Sequence, residues 1–270
     1  MGTHRPGRRS EGGARLTLKT VYLHGLPGAP AELSLAGPGS AWANPAQVFA
    51  PDRMATPGGL TALTQQIMDQ SGGKAVNLVG FSLGGAAALR LAPLLGDRVA
   101  RINLIAPAAP LCLGDFLPDM AGGALFGMAH DQPRLFSLIC RVQALAARAA
   151  PALLTKMLLA DTRGADRQLA DEPAFRALLG AILRQTFAGG SSAYRAEIAA
   201  YVGDWQGELD QVTQPVAIWQ GDQDNWVPPE MASALAERLK GAQLTLLPGL
   251  SHYSALHWYL NRFNPGDSQP

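Results

Sequence analysis

Two patterns of apolar and polar positions alternate along most of the chain. Short apolar runs read as strands: LTLKTVYL (Leu16–Leu23), AQVFAP (Ala46–Pro51), KAVNLVGF (Lys74–Phe81), RINLIAP (Arg101–Pro107), PVAIWQG (Pro215–Gly221) and AQLTLLPG (Ala242–Gly249). The Lys74–Phe81 run is nearly continuous, as expected of a strand covered on both faces, where side chains pointing either way are buried. Between the runs the spacing turns helical. GLTALTQQIMDQ (Gly59–Gln70) puts Leu60, Leu63, Ile67 and Met68 on one face. LGGAAALRLAPLL (Leu83–Leu95), PEMASALAERLKG (Pro229–Gly241, opening on proline) and YSALHWYLNRF (Tyr253–Phe263) read as three more helices.

The alternation stops between Leu111 and Asp210. Ala, Leu, Arg and Met dominate there, with a long helical stretch punctuated by Pro133 and Pro151 and two further helices in EPAFRALLGAILRQTFAGG and SAYRAEIAAYVGDW. The pattern predicts an α/β fold: a mostly parallel, doubly wound sheet built from residues 16–110 and 211–270, with a helical cap inserted over 111–210. Residues 1–15 read as a mobile basic tail. A block inserted after a strand can sit over the carboxyl ends of the sheet, where open α/β sheets bind ligands.

Composition narrows the function classes. The chain has 270 residues, 47% hydrophobic and 16% charged, so a large core can be buried. Its 22 basic and 21 acidic residues give a net charge of +1 and no reason to expect nucleic acid or an anionic membrane as partner. The basic N-terminus is not followed by an apolar segment of the secretory kind, and no apolar run has membrane-spanning length. A cytoplasmic protein is expected. Cys112 and Cys140 lack metal-ligand spacing and are expected to be buried free thiols. Oligomeric state is not legible.

One stretch points to chemistry. Gly80-Phe81-Ser82-Leu83-Gly84 is a G-x-S-x-G set between a predicted strand and a predicted helix. A serine there sits on a sharp turn that exposes its hydroxyl, and small neighbours are needed where strand and helix backbones converge. A serine hydroxyl is a weak nucleophile and needs a base, itself oriented by an acid. Of the five histidines, His252 directly follows the last predicted strand, on the edge where Ser82 emerges; His257 falls about a helical turn further on. His4 lies in the tail, His130 in the helical block, and His24 ends the first strand. Asp222 and Asp224 both follow the Pro215–Gly221 strand; Asp224 lies further into the loop, where it can reach across the strand ends.

Together HGLPG, PDR, VGFSLGG, PVAIWQGDQDNWVP and PGLSHY, spread from residue 24 to 253, resemble the α/β-hydrolases of the capped kind that includes esterases, C–C hydrolases and aminopeptidases. The resemblance implies a Ser82–Asp224–His252 triad and an oxyanion hole formed by the backbone N–H groups of Leu26 and Leu83. His24, Gly25, Phe81, Trp226 and Tyr253 are then candidates for the substrate pocket, with His24 a loop-shaping residue. Where relatives continue Asp-Arg into a turn ending in serine, Asp52-Arg53 here runs into MATPGG, so an altered loop is expected at the pocket edge. No metal or organic cofactor is expected. The implied activity is hydrolysis of a small carboxylic ester or related acyl compound. C–C hydrolysis, acyl transfer or aminopeptidase chemistry on the same triad stays open, as does a non-catalytic binding module on this scaffold. Met120, Phe126, Met128, Phe136 and Met157 either line an apolar lid or pack the inserted helices against each other.

Overall fold

The computed structural model describes residues 18–56 and 58–267. The expected tail, and Leu16 and Thr17 of the first expected strand, lie outside the described residues. Six strands are present among the described residues: β1 (Lys19–Leu23), β2 (Val48–Phe49), β3 (Val76–Phe81), β4 (Val99–Ile105), β5 (Val216–Gly221) and β6 (Gln243–Leu247). They form one sheet in the order β2-β1-β3-β4-β5-β6, and every pairing is parallel. All six residues of β3 are buried, in keeping with its central place, whereas β6 at the edge is mostly exposed.

Parallel pairing in close register brings the strand ends to one edge. Leu23 lies beside Gly80, Phe81 beside Ile105, Ile105 beside Trp219, and Gly221 beside Leu247. The loops after β1, β3, β5 and β6 therefore open together, and these loops carry His24–Leu26, Ser82, Asp224 and His252. The chain order reverses between β1 and β3, so the β1 and β3 loops border the crevice that such a reversal leaves.

The expected core helices are present as α1 (Gly59–Ser71) and α2 (Leu83–Leu95), with two more after β5 and β6. The inserted segment holds six helices: α3 (Gly123–Asp131), α4 (Pro133–Ala149), α5 (Pro151–Leu158), α6 (Asp166–Asp171), α7 (Pro173–Thr186) and α8 (Ser192–Val202). Proline opens α4, α5 and α7, where a missing N–H costs no helical hydrogen bond. Two of these helices, α3 and α6, have no counterpart in the sequence pattern. α6 spans only 6 residues, too few to show a helical period. After β5 come α9 (Pro229–Arg238) and, after β6, α10 (His252–Arg262). The last helix thus begins on His252 itself, one residue earlier than its pattern implied.

One correction concerns the thiols. Both cysteines are free, but only Cys140 is buried; Cys112 is exposed beside the Asp204 carboxylate. Burial pushes the Cys140 thiol up to about 11, so it stays protonated. Among the described residues no single helix is long and apolar enough to cross a membrane, and no cluster of His, Cys, Asp and Glu has a metal-binding arrangement.

Candidate active site

Ser82 occupies the turn between β3 and α2 with φ 56° and ψ −126°, a conformation that side chains rarely adopt. The fold holds it there by forcing strand and helix together. A Cβ on Gly80 would lie 2.5 Å from the Gly84 carbonyl oxygen, and one on Gly84 would strike the Leu23 carbonyl oxygen. Those contacts explain the glycines around the serine: the backbones approach too closely for any side chain. Ser82 accepts Gly85 N–H (2.9 Å) and Ala108 N–H (3.2 Å) on its carbonyl, and its own N–H donates to Ile105 (3.0 Å). Its hydroxyl has no hydrogen-bond partner among the described residues.

His252 and Asp224 meet across 28 residues of sequence. The His252 Nδ1–H donates to Asp224 Oδ2 at 2.8 Å, with both side chains nearly inaccessible to solvent. Asp224 is held in turn by its own loop. Its Oδ1 accepts the Trp226 N–H (2.8 Å) and the Val227 N–H (3.0 Å), and Gln220 Nε2 donates to Oδ2 at 3.3 Å. The imidazole is wedged between Phe81, 4.6 Å away, and Trp226, stacked at 5.9 Å with planes 15° apart. Burial lowers the affinity of His252 for a proton. The Asp224 charge and hydrogen bond, with the charges of Asp166 and Glu32, outweigh burial and raise its pKa above 6.5. Asp222, the alternative acid, instead accepts the Gly249 N–H at 2.8 Å and braces the loop after β6. His257 is exposed on α10.

The Leu26 and Leu83 N–H groups donate to no acceptor among the described residues, and both residues line the same cavity as Ser82. Their loop is organised from beneath. Glu32, in the 3₁₀ turn Pro30–Ala36, is fully buried and accepts the Tyr22 hydroxyl (2.6 Å) and the Gly25 N–H (3.1 Å) on Oε2. Burial lifts its carboxyl from 4.5 to about 7, against the opposing pull of those hydrogen bonds and of His252 and Arg53. A carboxyl held high in the folded state binds its proton more tightly there than in the unfolded chain. Its stabilisation is complete below pH 4.5 and declines as pH rises towards 7. Glu32→Gln keeps an acceptor without the charge. The wild type is therefore expected to lose about 3 kcal/mol of stability relative to this variant between those pH values, at 1.36 kcal/mol per unit. Urea unfolding at pH 5 and pH 8 reads the difference; parallel curves would remove Glu32 as the titrating group.

The cavity beside Ser82 has a volume of about 220 Å³. Core residues Leu26, Leu83, Trp226 and Val227 form its floor, and Met120, Phe126, Leu154, Met157 and Phe187 of the inserted segment close over it. Of the expected apolar lid residues, Met120, Phe126 and Met157 line it, whereas Phe136 is buried within the inserted helices and Met128 packs against the core. Of the expected pocket residues, Trp226 lines the cavity and the other four do not. His24 is fully buried, donating from Nδ1 to the Gly25 carbonyl (2.8 Å) and accepting the Arg53 N–H on Nε2 (3.1 Å). Burial and the nearby Arg53 charge lower its pKa to about 3, so it is a neutral brace. Gly25 packs on Phe81, Phe81 lies under the imidazole, and Tyr253 is held between Phe81 and Phe175. These residues back the wall and do not face the cavity. The Asp52-Arg53 loop is likewise absent from the cavity lining. Arg53 is buried, donates to the His24 carbonyl at 2.6 Å and pairs with Glu197 of α8.

Two residues the sequence did not single out shape the site: Glu32 and Asp166. Asp166 opens α6 in the inserted segment and is 1% exposed. Its carboxylate accepts the N–H groups of Tyr253 (2.9 Å) and Ser254 (2.7 Å) and the Ser254 hydroxyl (2.6 Å). It thereby satisfies the free N–H groups of the α10 first turn, the turn that begins on His252. No sequence signal was available for it, since its partners lie 87 and 88 residues away.

A parallel sheet with a strained serine between strand and helix, and a carboxylate–histidine pair on the same edge, defines the class of α/β-hydrolase folds. The sequence profile of the alpha/beta hydrolase family matches residues 20–260, and the chain belongs to that family. Among solved structures, it is similar to a bromoperoxidase from Bacillus anthracis, with TM-score 0.63, 19% identity and coverage of 91% of this chain and 89% of that one. It is also similar to the enol-lactonase from Burkholderia xenovorans (TM-score 0.61, 21% identity, 90% and 87% covered). An esterase from Exiguobacterium antarcticum gives TM-score 0.58 at 16% identity, with 90% and 91% covered. At these identities the likeness establishes the fold alone. No curated protein matches the chain.

Proposed function

We propose that the protein is a serine hydrolase that cleaves a small, uncharged carboxylic ester or related acyl compound through an acyl-enzyme. The observation that carries this reading is the buried 2.8 Å Asp224–His252 hydrogen bond on the sheet edge that also presents the strained Ser82. With Nδ1 donating to Asp224, the imidazole offers Nε2 as a base. It takes the Ser82 proton as Oγ bonds to the acyl carbon; the carbonyl electrons move onto oxygen, and the Leu26 and Leu83 N–H groups receive that charge. Losing one such donor typically costs about 10²–10³ in rate. The imidazolium then protonates the leaving oxygen as its bond to carbon breaks. Water, deprotonated by the same nitrogen, releases the acid and restores Ser82. The apolar walls and small volume of the cavity favour a short to medium acyl chain over a charged substrate.

A fluorophosphonate probe is expected to modify the protein stoichiometrically, with peptide mapping placing the adduct on Ser82. Among p-nitrophenyl esters, kcat/KM should favour short and medium acyl chains and rise with pH along a limb above 6.5, because His252 must be neutral to act. A folded protein inert to both the probe and all esters would support the binding-module reading. Preference for diketones or aryl amides would move the assignment to C–C or peptide hydrolysis.

A further inference from the structure

Six of the eight large apolar side chains exposed among the described residues sit on α4 and α5. Leu135, Leu138, Val142 and Leu145 recur at intervals of three and four residues, which aligns them in one stripe along α4. Leu153 and Met157 continue the apolar surface on α5, beyond a bend of 120°. Their exposures run from 42% at Leu135 to 66% at Met157. α4 already has a buried stripe, Phe136, Cys140, Ala144 and Ala147, turned into the protein. A helix at the surface of a globular protein needs one apolar face; α4 carries two, and the outer one has no partner among the described residues.

The charge on this segment identifies what fits it. Residues 133–158 contain Arg134, Arg141, Arg148 and Lys156 and no Asp or Glu, whereas the whole chain is nearly balanced at 22 to 21. All four cations are exposed, and Arg134 and Arg141 each directly precede a residue of the stripe. The nearest carboxylates in sequence, Asp131 and Asp161, lie outside both ends. A second copy meeting this face with its own would bring cation against cation along the seam. Met157 also lines the cavity beside Ser82, together with Leu154 and Leu158, so the apolar face borders the site.

We propose that the α4–α5 face docks on an anionic lipid surface, with its leucines in the acyl boundary, its cations at the headgroups and the cavity opening toward the bilayer. Apolar side chains on one face flanked by Arg and Lys are the composition of an element that lies in a membrane interface. The expectation of no membrane partner rested on net charge, which averages this segment with the acidic residues elsewhere. Docking does not depend on the hydrolase reading, because the face and its charge are independent of Ser82 chemistry. If both hold, the enzyme draws acyl substrates out of the lipid phase.

Cosedimentation of the full chain with phosphatidylglycerol–phosphatidylcholine vesicles and with pure phosphatidylcholine vesicles tests this. Partition is expected to be at least roughly tenfold stronger on the anionic vesicles and to weaken as salt is raised, since each exposed cation near a charged leaflet contributes to binding. Leu138→Gln, Val142→Gln and Leu145→Gln combined should abolish partition without altering the circular dichroism spectrum. Arg134→Gln with Arg141→Gln should erase the preference for anionic vesicles; should either multiple variant fail to fold, the salt and lipid series on the wild type decides alone. Absence of binding to either vesicle, or equal binding to both at all salt concentrations, overturns the proposal. So does a dimer in light scattering that the triple variant dissolves, which would assign the face to a second copy.

Discussion

Ser82→Ala is expected to reduce ester turnover by on the order of 10⁴-fold or more, with the fluorophosphonate adduct lost completely. The size follows from what the hydroxyl does in the proposed cycle: its oxygen forms the only covalent bond to the substrate, so no neighbouring group shares the step. In that proposed cycle the residual rate is expected from the Leu26 and Leu83 N–H groups and the cavity, which would still hold the oxyanion for direct attack by water. The turn itself should survive. Alanine carries the same Cβ into the same φ of 56°, and the contacts that set the turn are made by Gly80, Gly84 and the backbone. Thermal unfolding should therefore change by about 1 kcal/mol or less, within the range for substitutions that leave packing intact. A loss of only tenfold, with folding intact, would show that another group attacks the acyl carbon.

Asp224→Asn should cost nearly as much, on the order of 10⁴ in kcat, for a different reason. The orientation of the new amide is dictated by the loop. Oδ1 accepts two backbone N–H groups, from Trp226 and Val227, so the amide oxygen must take that side. Its NH₂ is then turned to His252 Nδ1, which can only accept, and the ring proton moves to Nε2. A histidine protonated at Nε2 cannot take the serine proton, although every heavy atom has kept its place. KM should change little, because Asp224 does not line the cavity. The imidazole NMR signals of the variant should report the altered tautomer. Near-normal kcat in a folded Asp224→Asn protein would mean that His252 is oriented by something else.

Much of this architecture was legible in one dimension because it is set by local rules. Five of the six strands fall within their short apolar runs and β4 begins two residues ahead of its run, at Val99; the register of a parallel sheet puts their ends on one edge once their direction is known. The glycines around Ser82 announce a close backbone approach that the contacts at Gly80 and Gly84 bear out. Asp224 was set apart from Asp222 by its place further into the loop and by resemblance; the structure supplies the physical reason, since one reaches the imidazole and the other turns back to Gly249.

What escaped the sequence has a common cause. Glu32 and Asp166 look like ordinary surface acids in the chain, one in a Pro- and Ala-rich turn and the other in a polar helix too short to show a period. Both are buried because groups outside their own elements supply their donors: β1 and the loop after it for Glu32, and α10, 87 and 88 residues away, for Asp166. His24 and Arg53 sit in motifs that suggested a pocket edge, yet they satisfy each other inside the wall.

The order of apolar and polar residues was sufficient to determine the strands, the main core helices and the strained serine turn, since each depends on neighbours a few positions apart. The helix α4 carries apolar residues on two faces. Only the tertiary structure decided which stripe of that helix is covered and which faces outward, and that Glu32 and Asp166 leave water to hold the loop after β1 and the first turn of α10. Burial is a property of everything packed around a residue, and periodicity along one segment carries no information about its partners.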